Sequence, residues 1–363
     1  MSNPNRKMCT VRRIDSVDPI EGADRIEVAR VGGWSVVTGK GEYAPGDYAL
    51  YFEIDTFMPS DDERFAFLAS RGTRKMVWKG NEREGHVLRT AKMRGVYSQG
   101  LLMDPALWGI NPDVLPMLCD EGIDMSKQVG VWEWYKPLPS ADFIGRYDQY
   151  VGPRTDAVRI QNVDADLWDI AKKTDCFLSV KVDGTSTTMV YDTRVNRLRG
   201  FSHNNEFDMT AGLGKVLLEC AERQGIADFC KANPMTTVQS ELCGPKIQSN
   251  RYALEGHRMF VFSVWHMEDG RYLDPYRFKE LAGSVVPRLD IDVNRFDTPD
   301  DFLAYVDGMR GYISKDRLDE GVVLHVVGNG TATQDEWLEL CDALGQQRQI
   351  KAVSNKFLLK AKE

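Results

Sequence analysis

Short runs of alternating apolar and polar residues fill the first third of the chain, from about residue 7 to residue 134. Glycines and prolines separate these runs, a pattern that predicts the strands of a small antiparallel barrel or sandwich. The predicted strands cover residues 10–17, 25–31, 34–38, 48–54 and 87–93. Brief helical turns are predicted at residues 61–70 and 114–119.

The second half of the chain combines longer apolar strands with amphipathic helices. Strands and helices do not alternate regularly there, so a mixed antiparallel α+β domain is favoured over a doubly wound parallel one. The predicted strands cover residues 177–181, 187–191, 238–242, 259–265 and 321–327. The predicted helices cover residues 165–174, 213–232, 300–309 and 335–344.

A proline-bearing passage separates the two regions. It runs from Pro137 and Pro139 to Gly152 and Pro153. We therefore expect a first domain at residues 1–136, a linker at 137–152 and a second domain at 153–363.

The composition of the 363-residue chain is that of an ordinary globular protein of about two domains, with 42% hydrophobic and 28% charged residues. No apolar stretch approaches the roughly 20 residues of a membrane span, and the first ten residues lack an apolar signal core, so we expect a cytoplasmic location. The 7 cysteines are scattered and odd in number. This distribution argues against a disulfide framework or a zinc site. No obligate protein partner is evident.

Positive charge is concentrated in one window of an otherwise acidic chain. The net charge is -8, yet residues 71–94 hold eight basic and two acidic side chains. This window is either a solvated hairpin or a surface that follows nucleic-acid phosphates beside a stacking ring. The candidate RNA-binding residues are Arg71, Arg74, Lys75, Trp78 and Lys79.

The most informative motif is the Lys-Val-Asp-Gly string that begins at Lys181 and ends at Gly184. A lysine at a strand end can attack a nucleotide α-phosphate, although the same string also fits a plain strand-to-turn transition at Asp-Gly. The attacking amine must be neutral, whereas free lysine is protonated at neutral pH. A divalent metal, a second cation or partial burial would lower its pKa.

Three acids are candidates for a shared metal-phosphate pocket: Asp183, Glu241 and Glu320. Magnesium prefers oxygen ligands and keeps several waters, so we expect water-mediated contacts. Each acid can instead be an ordinary strand-end or turn carboxylate, and Glu241 alternatively hydrogen-bonds a ribose hydroxyl. Phe260 and Phe262 share a strand face, where a ring either packs in the core, as we favour for Phe260, or stacks on a purine.

Taken in order, these segments resemble the motifs of the covalent nucleotidyltransferases, namely ATP-dependent RNA ligases, DNA ligases and mRNA capping enzymes. The matching segments are residues 181–184, 240–242, 260–262, 319–323 and 351–360. The resemblance implies that Lys181 carries AMP, that Phe262 lies on adenine, and that ATP acts with Mg²⁺ or Mn²⁺. Only three residues follow Lys360, so we expect no trailing OB module of the DNA ligase and capping enzyme type.

The front domain resembles the amino-terminal OB module of one RNA ligase family, often called family five. The similar phrases lie at residues 18–27, 46–55 and 93–101, and further ones at 153–156 and 159–162 include Gln161. This resemblance implies an OB-like barrel followed by a mixed antiparallel, ATP-grasp-like ligase domain. It also implies sealing of 3′-hydroxyl and 5′-phosphate RNA ends, at nicks in duplexes, through lysyl-AMP and RNA-adenylate.

Two positions depart from the family pattern. The family has Ser-Arg-Asn where this chain has Ser202, His203 and Asn204, so either His203 or Arg199 approaches the nucleotide. Val353 stands where a second lysine of the fifth motif is common. The phosphate contact therefore falls to Lys351 or to Lys356.

Three other functions compete with this interpretation. A ligase that prefers DNA and a transferase that uses GTP are enzymes of the same superfamily. A catalytically inactive RNA-binding or tRNA-binding OB protein belongs to a different class. The intact acids at Asp183, Glu241 and Glu320 argue against lost activity.

Overall fold

The computed structural model describes residues 6–78, 81–134 and 142–360. The chain divides into two compact units, Met1–Leu138 and Pro139–Ala361. Within the described residues no helix is both long and apolar enough to cross a membrane.

The first unit is built from short antiparallel strands packed around an apolar core. Its strands are β1 (Cys9–Arg13), β2 (Ser16–Pro19), β3 (Ile26–Val31), β4 (Trp34–Gly39), β5 (Tyr48–Phe52), β6 (Thr56–Pro59), β7 (Arg74–Trp78), β8 (Asn81–Val87), β9 (Ala91–Met93), β10 (Val96–Ser98), β11 (Leu101–Met103) and β12 (Trp132–Glu133). Its helices are α1 (Leu115–Asp120) and α2 (Ser126–Val129), with 3-10 turns at Glu63–Arg71, Pro105–Trp108 and Pro112–Val114. Two predicted strands are wrong in extent, because residues 10–17 break between β1 and β2 and residues 87–93 break between β8 and β9.

The second unit contains two large sheets and the helices that cover them. Its strands are β13 (Phe143–Arg146), β14 (Val158–Arg159), β15 (Asp175–Lys181), β16 (Thr185–Asp192), β17 (Arg197–Phe201), β18 (Asn205–Phe207), β19 (Thr236–Cys243), β20 (Arg258–His266), β21 (Arg271–Leu273), β22 (Arg288–Leu289), β23 (Gly321–Gly328) and β24 (Gln349–Val353). Its helices are α3 (Ala165–Lys173), α4 (Gly212–Arg223), α5 (Ile226–Ala232), α6 (Pro299–Val306), α7 (Gln334–Leu344) and α8 (Asn355–Lys360).

The seven-stranded sheet has the order β13-β18-β17-β16-β19-β20-β21, and the five-stranded sheet has the order β14-β24-β23-β15-β22. Only the β14–β24 pair is parallel among the pairings of these two sheets in the described chain. The predicted mixed antiparallel α+β domain is therefore confirmed. The helix predicted at residues 213–232 is broken into α4 and α5 at Gly225, whose φ of 74° an L side chain rarely adopts.

Apolar and polar side chains alternate along β15, so the five-stranded sheet has one apolar face and one face that carries polar side chains. Leu178 and Val180 are buried in the larger core of this unit, together with Val322 and Leu324 of β23. Successive side chains of a strand point to opposite faces, so Ser179 and Lys181 lie on the other face. The sheet thus buries one side in the core and presents its lysine from the other.

Candidate active site

Lys181, the last residue of β15, pairs with Gly321, the first residue of β23. Glu320, which precedes Gly321, consequently lies beside the lysine side chain. The distance from Lys181 Nζ to Glu320 Oε1 is 2.6 Å. Antiparallel register therefore joins two motifs that are far apart in sequence.

The second sheet supplies the remaining carboxylates. Asp183 and Gly184 lead from β15 into β16, which pairs with β19 so that Ser186 lies opposite Glu241. A Cβ atom on Gly184 would lie 3.0 Å from Glu241 Cγ and would collide with the backbone oxygen of Leu242. Glycine at this position allows the turn to approach β19 closely enough to gather the three acids around Lys181.

The carboxylates of this pocket interact strongly with one another. Burial, reinforced by the charge of Glu320, raises the pKa of Asp183 to about 6. Burial also raises the pKa of Glu241 to about 8, with Glu320 and Asp183 acting in the same direction against Lys181. Both shifts reflect negative charges held close together in a poorly solvated site.

Lys181 is itself held in its charged form. Burial lowers the pKa of its amine, but Glu320, Glu241 and Asp183 raise the pKa by more, so the net shift is upward. Burial alone therefore does not provide the neutral amine that nucleophilic attack requires. A positive charge placed among the carboxylates would oppose their effect on the lysine.

The pocket contains a carboxylate oxygen that fits a water ligand of a hydrated divalent cation. In the parts of the chain that the structure describes, no group of three or more His, Cys, Asp or Glu side chains is arranged to ligate a metal. Glu320 Oε2 is nevertheless buried without a hydrogen-bond partner among the described residues. A water molecule of a hydrated ion would satisfy this oxygen, and magnesium characteristically keeps several waters.

Arg251 and Tyr252 bind the nucleophile turn, and sequence reasoning did not identify either residue. The Asp183 backbone N–H donates to the Tyr252 hydroxyl at 2.8 Å, and Arg251 Nε lies 3.5 Å from Asp183 Oδ2. Arg251 also donates to the backbone oxygen of Phe357 at 3.2 Å. The Arg251 side chain thus contacts both the Asp183 carboxylate and the carboxyl-terminal helix α8.

This loop, residues 244–257, has an unusual backbone. Its non-glycine residues with φ between 43° and 65° are Lys246, Gln248, Asn250 and Ala253. Such conformations are costly and tend to persist where surrounding contacts fix them. One of those contacts is the 3.0 Å hydrogen bond from Gln248 Nε2 to the backbone oxygen of Gly184.

The two candidate lysines of the fifth motif occupy different environments. Val353 pairs with Gly321, and Lys351 lies two residues earlier on β24, so Lys351 and Lys181 share a face of the sheet. Lys356 lies on α8 instead, and its side chain is 55% exposed with Nζ 3.8 Å from Asp307 Oδ2. The apolar run 357–359, next to Lys356, belongs to this helix.

Arg199 is engaged in a network of carboxylates. Its Nε and Nη2 donate to Glu206 at 2.9 and 2.6 Å, and its Nη1 donates to Asp148 at 2.8 Å and to Asp192 at 2.7 Å. His203 has a looser contact, with Nε2 3.6 Å from Asp156 Oδ2. The ion pairs of Arg199 give it a structural role in this sheet.

Further candidates for nucleotide contact have unsatisfied polar atoms or an accessible ring. Gln161 Nε2 and Asn204 Oδ1 are both buried without a hydrogen-bond partner in the described part of the chain. Phe262 is partly buried beside the core, whereas Phe260 is fully packed within it. These positions leave Phe262 as the ring available to a base.

The basic candidates of the first unit lie around the β7–β8 hairpin. Arg71 ends the preceding 3-10 turn, and Arg74 and Lys75 are exposed on β7. Lys75 pairs with Glu82 at 2.7 Å on the neighbouring strand. Trp78 belongs to β7, but its side chain and Lys79 lie outside the described residues.

Both regions of the chain match known protein families. A family described as an OB-fold domain matches residues 8–105, and a family described as RNA ligase matches residues 174–338. No curated protein matches this sequence.

Solved structures of one enzyme are similar over nearly the whole chain. A mutant of the Naegleria gruberi RNA ligase without ligand is 26% identical and has a TM-score of 0.78, with 100% of this chain and 99% of that chain covered. A mutant of the same enzyme with AMP and Mn gives 26% identity, a TM-score of 0.78 and coverage of 98% and 99%. A third mutant, with ATP and Mn, gives 26% identity, a TM-score of 0.76 and coverage of 98% of each chain.

A strand-end lysine among carboxylates, on a two-sheet α+β domain, defines a covalent nucleotidyltransferase fold of the ligase type. The matching domain families and the similar solved structures identify the chain as an ATP-dependent RNA ligase with an amino-terminal OB-fold domain. The predicted order of an OB fold followed by a ligase domain is confirmed, and RNA is the substrate class of this enzyme.

Proposed function

We propose that this RNA ligase uses ATP to join RNA 3′-hydroxyl and 5′-phosphate ends through lysyl-AMP and RNA-adenylate. The observation that carries the proposal is the 2.6 Å contact between Lys181 and Glu320 in a pocket shared with Asp183 and Glu241. The similar Naegleria gruberi structures with AMP or ATP and Mn support the choice of nucleotide and metal.

In the first transfer, the Lys181 amine attacks the α-phosphorus of ATP. A P–N bond forms, the bond to the β-phosphate oxygen breaks, and pyrophosphate leaves. The amine must lose a proton, and Glu320 lies within the hydrogen-bond distance that proton transfer requires. We assign the α-phosphate contact to Lys351, because it shares the Lys181 face of the sheet.

Two further transfers complete the reaction. An oxygen of the RNA 5′-phosphate attacks the AMP phosphorus, which breaks the P–N bond and restores Lys181. The 3′-hydroxyl of the second end then attacks the 5′-phosphorus, releases AMP and gives up its proton. Covalent catalysis divides a difficult joining step into these easier displacements.

Mg²⁺ or Mn²⁺ would be held through waters by Asp183, Glu241 and Glu320. When bound, the ion would offset the negative charge of the phosphates and of the surrounding carboxylates. Around the nucleotide we place Gly184, Gln161, His203, Asn204 and Phe262, with Phe262 on adenine.

Self-adenylylation provides the direct test. The parental chain, mixed with α-labelled ATP and a divalent metal, should retain label and gain the mass of one AMP. Lys181→Ala and the charge-preserving Lys181→Arg should both fail to do so. Label retained by the alanine variant at the parental level would refute the assignment of Lys181.

We further propose that the OB-fold unit engages a nicked duplex through the β7–β8 hairpin. Arg74→Glu with Lys75→Glu should weaken binding of a nicked duplex in a salt-sensitive manner, because phosphate contacts release counterions. Arg25→Glu with Arg30→Glu, at exposed positions of the same unit, is the matched control. Equal affinities of the two double variants would contradict this role.

All 7 cysteines are free, which supports a reducing compartment such as the cytoplasm.

A further inference from the structure

One exposed loop stands immediately before the catalytic carboxylate Glu320. Residues 310–317, hereafter the Tyr312 loop, contain Arg310, Lys315 and Arg317 with one acid, Asp316. The three cationic side chains are exposed, and in the described chain no ion pair joins them to another residue. Tyr312 is 45% exposed on the same loop.

The loop is fixed by a buried carboxylate. Asp319 is fully buried, and it accepts hydrogen bonds from the backbone N–H groups of Tyr312 at 3.0 Å and Ile313 at 3.2 Å. The next residue is Glu320, whose carboxylate contacts Lys181. The anchor of the loop and the active-site acid are therefore adjacent in the chain.

Backbone hydrogen bonds close the loop upon itself. The N–H of Gly311 donates to the oxygen of Arg317 at 3.0 Å, and the N–H of Asp319 donates to the oxygen of Met309 at 3.0 Å. Met309 and Ile313 pack against the large core of this unit. The apolar side chains of the segment thus point inward, while the tyrosine ring and the cations remain outside.

The loop is joined to the strand that carries Lys351 as well. The N–H of Gly308 donates to Ser354 Oγ at 3.4 Å, and the N–H of Ser354 donates to the backbone oxygen of Glu320 at 2.9 Å. Ser354 directly follows β24. The base of the loop is consequently positioned by β23, which borders the nucleophile strand, and by β24, which lies beyond β23 in the sheet.

An exposed ring among unpaired cations fits a nucleic-acid strand. The chain as a whole is acidic, with a net charge of -8, so it repels phosphates except where cations are gathered. Proteins that hold single strands combine cations along the backbone with aromatic rings on which bases stack. Both elements are present on this loop, whose anchor Asp319 directly precedes the acid that contacts Lys181.

We propose that the Tyr312 loop binds the RNA strand presented to Lys181, with Arg310, Lys315 and Arg317 on phosphates and Tyr312 stacked on a base. This inference rests on the proposed function, because it takes RNA as the strand that reaches the adenylylated lysine. The loop acts in the RNA steps and has no part in the reaction with ATP.

The test uses the full chain and a nicked RNA duplex whose 5′ end is already adenylylated, so that the ATP step is bypassed. The charge variant is Arg310→Gln/Lys315→Gln/Arg317→Gln. Its matched control is Lys215→Gln/Lys231→Gln/Arg277→Gln, whose side chains are 62%, 49% and 83% exposed in the same unit. Tyr312→Ala is compared with Tyr312→Phe, which keeps the ring.

The charge variant should bind the duplex more weakly, and the slope of its affinity against salt should fall by about 2 to 3, since each of the three lost phosphate contacts contributes about 0.7 to 0.9. Tyr312→Ala should lose about 5-fold or more in affinity, while Tyr312→Phe stays near the parental value. Sealing rates should follow affinity. Self-adenylylation with ATP should be unchanged in every variant, which also reports intact folding.

Parental affinity and sealing in both loop variants would overturn the inference, and this result would also be expected if the loop bound another protein. A loss of self-adenylylation would equally overturn it, because the loop would then act on the nucleotide. If the parental chain bound the duplex but did not seal it, the proposed function would fail while the affinities still tested the loop.

Discussion

The guanidinium of Arg251 joins the nucleophile turn to the carboxyl-terminal helix. Its Nε lies 3.5 Å from Asp183 Oδ2, and its carbon lies 4.2 Å from the centre of the Phe357 ring. A planar guanidinium can make both contacts at once, which an ammonium group cannot do as well. Arg251 therefore fixes the position of a proposed active-site carboxylate from outside the sequence motifs.

Arg251→Ala should slow self-adenylylation by about 10- to 100-fold, because small displacements of reacting groups carry costs of this order. The expected fall is in kcat, with little change in KM for ATP. Arg251→Lys should recover part of the rate. Arg258→Ala is the matched control, since Arg258 also stacks on a ring, with its guanidinium carbon 4.7 Å from the centre of Phe260. Equal rates in Arg251→Ala and Arg258→Ala would argue against a positioning role.

Arg199 and His203 can be separated by stability and nucleotide binding. Arg199→Lys should lower the free energy of unfolding by about 1.5–3 kcal/mol, the cost of losing hydrogen bonds between charged groups. Its KM for ATP should remain parental. His203→Ala should raise the KM for ATP about 5-fold, as expected for one lost hydrogen bond, with unchanged stability. Denaturant titration measures the free energy of unfolding, and initial rates measure the KM for ATP. A raised KM in Arg199→Lys with a parental KM in His203→Ala would assign the nucleotide contact to Arg199.

Lys351 and Lys356 should differ strongly in their contribution to the rate. Lys351→Ala should reduce self-adenylylation by about 100-fold, the usual cost of removing one group that stabilises developing charge. Lys356→Ala should have a small effect, because this side chain is more than half exposed and lies near Asp307. Single-turnover rates at saturating ATP compare the two variants, and a larger loss at Lys356 would reverse the assignment.

Acid should weaken one attachment of helix α7. Hydrogen bonds from Lys173 and from the Thr333 backbone lower the pKa of Glu336 from 4.5 to about 2. A carboxylate with a lowered folded pKa stabilises the fold above its unfolded pKa, and this stabilisation is lost as the pH falls from about 4.5 to about 2.

Glu336→Gln, which keeps an oxygen for the cap, should therefore be less stable than the parental chain at pH 7. The difference should disappear near pH 2 in thermal unfolding. A difference independent of pH would mean that charge is not its cause. Glu339→Gln, on the same helix, is the control.

The sequence predicted strands best where apolar and polar residues alternated regularly and where polar residues marked the end of the strand. β15 and β23 have apolar residues on one face, and Lys181 and Gly321 stand at the ends that meet. Every second side chain of a strand points to the same face, so a strand with one buried face has an apolar residue at every second position. The motif order then predicted which ends would lie together.

Other parts of the site left no comparable signal. Arg251 acts through tertiary contacts within a loop of left-handed non-glycine residues, which no period or motif predicts. The apolar run at Phe357 was too short to distinguish a strand from a helix. The sequence made Arg199 a candidate for nucleotide contact because its carboxylate partners come from other segments, Asp148 before a 3-10 turn and Glu206 on β18.

The pairing of Lys181 with Gly321 has a consequence for how this enzyme matures. Two distant stretches of polypeptide must dock before the amine meets Glu320. Contacts of such long sequence separation form slowly, since closing the intervening chain costs conformational entropy before the contacts can form. In a partly folded molecule Lys181 will thus lack its contact with Glu320. The enzyme will become able to react with ATP only when these two strands have paired.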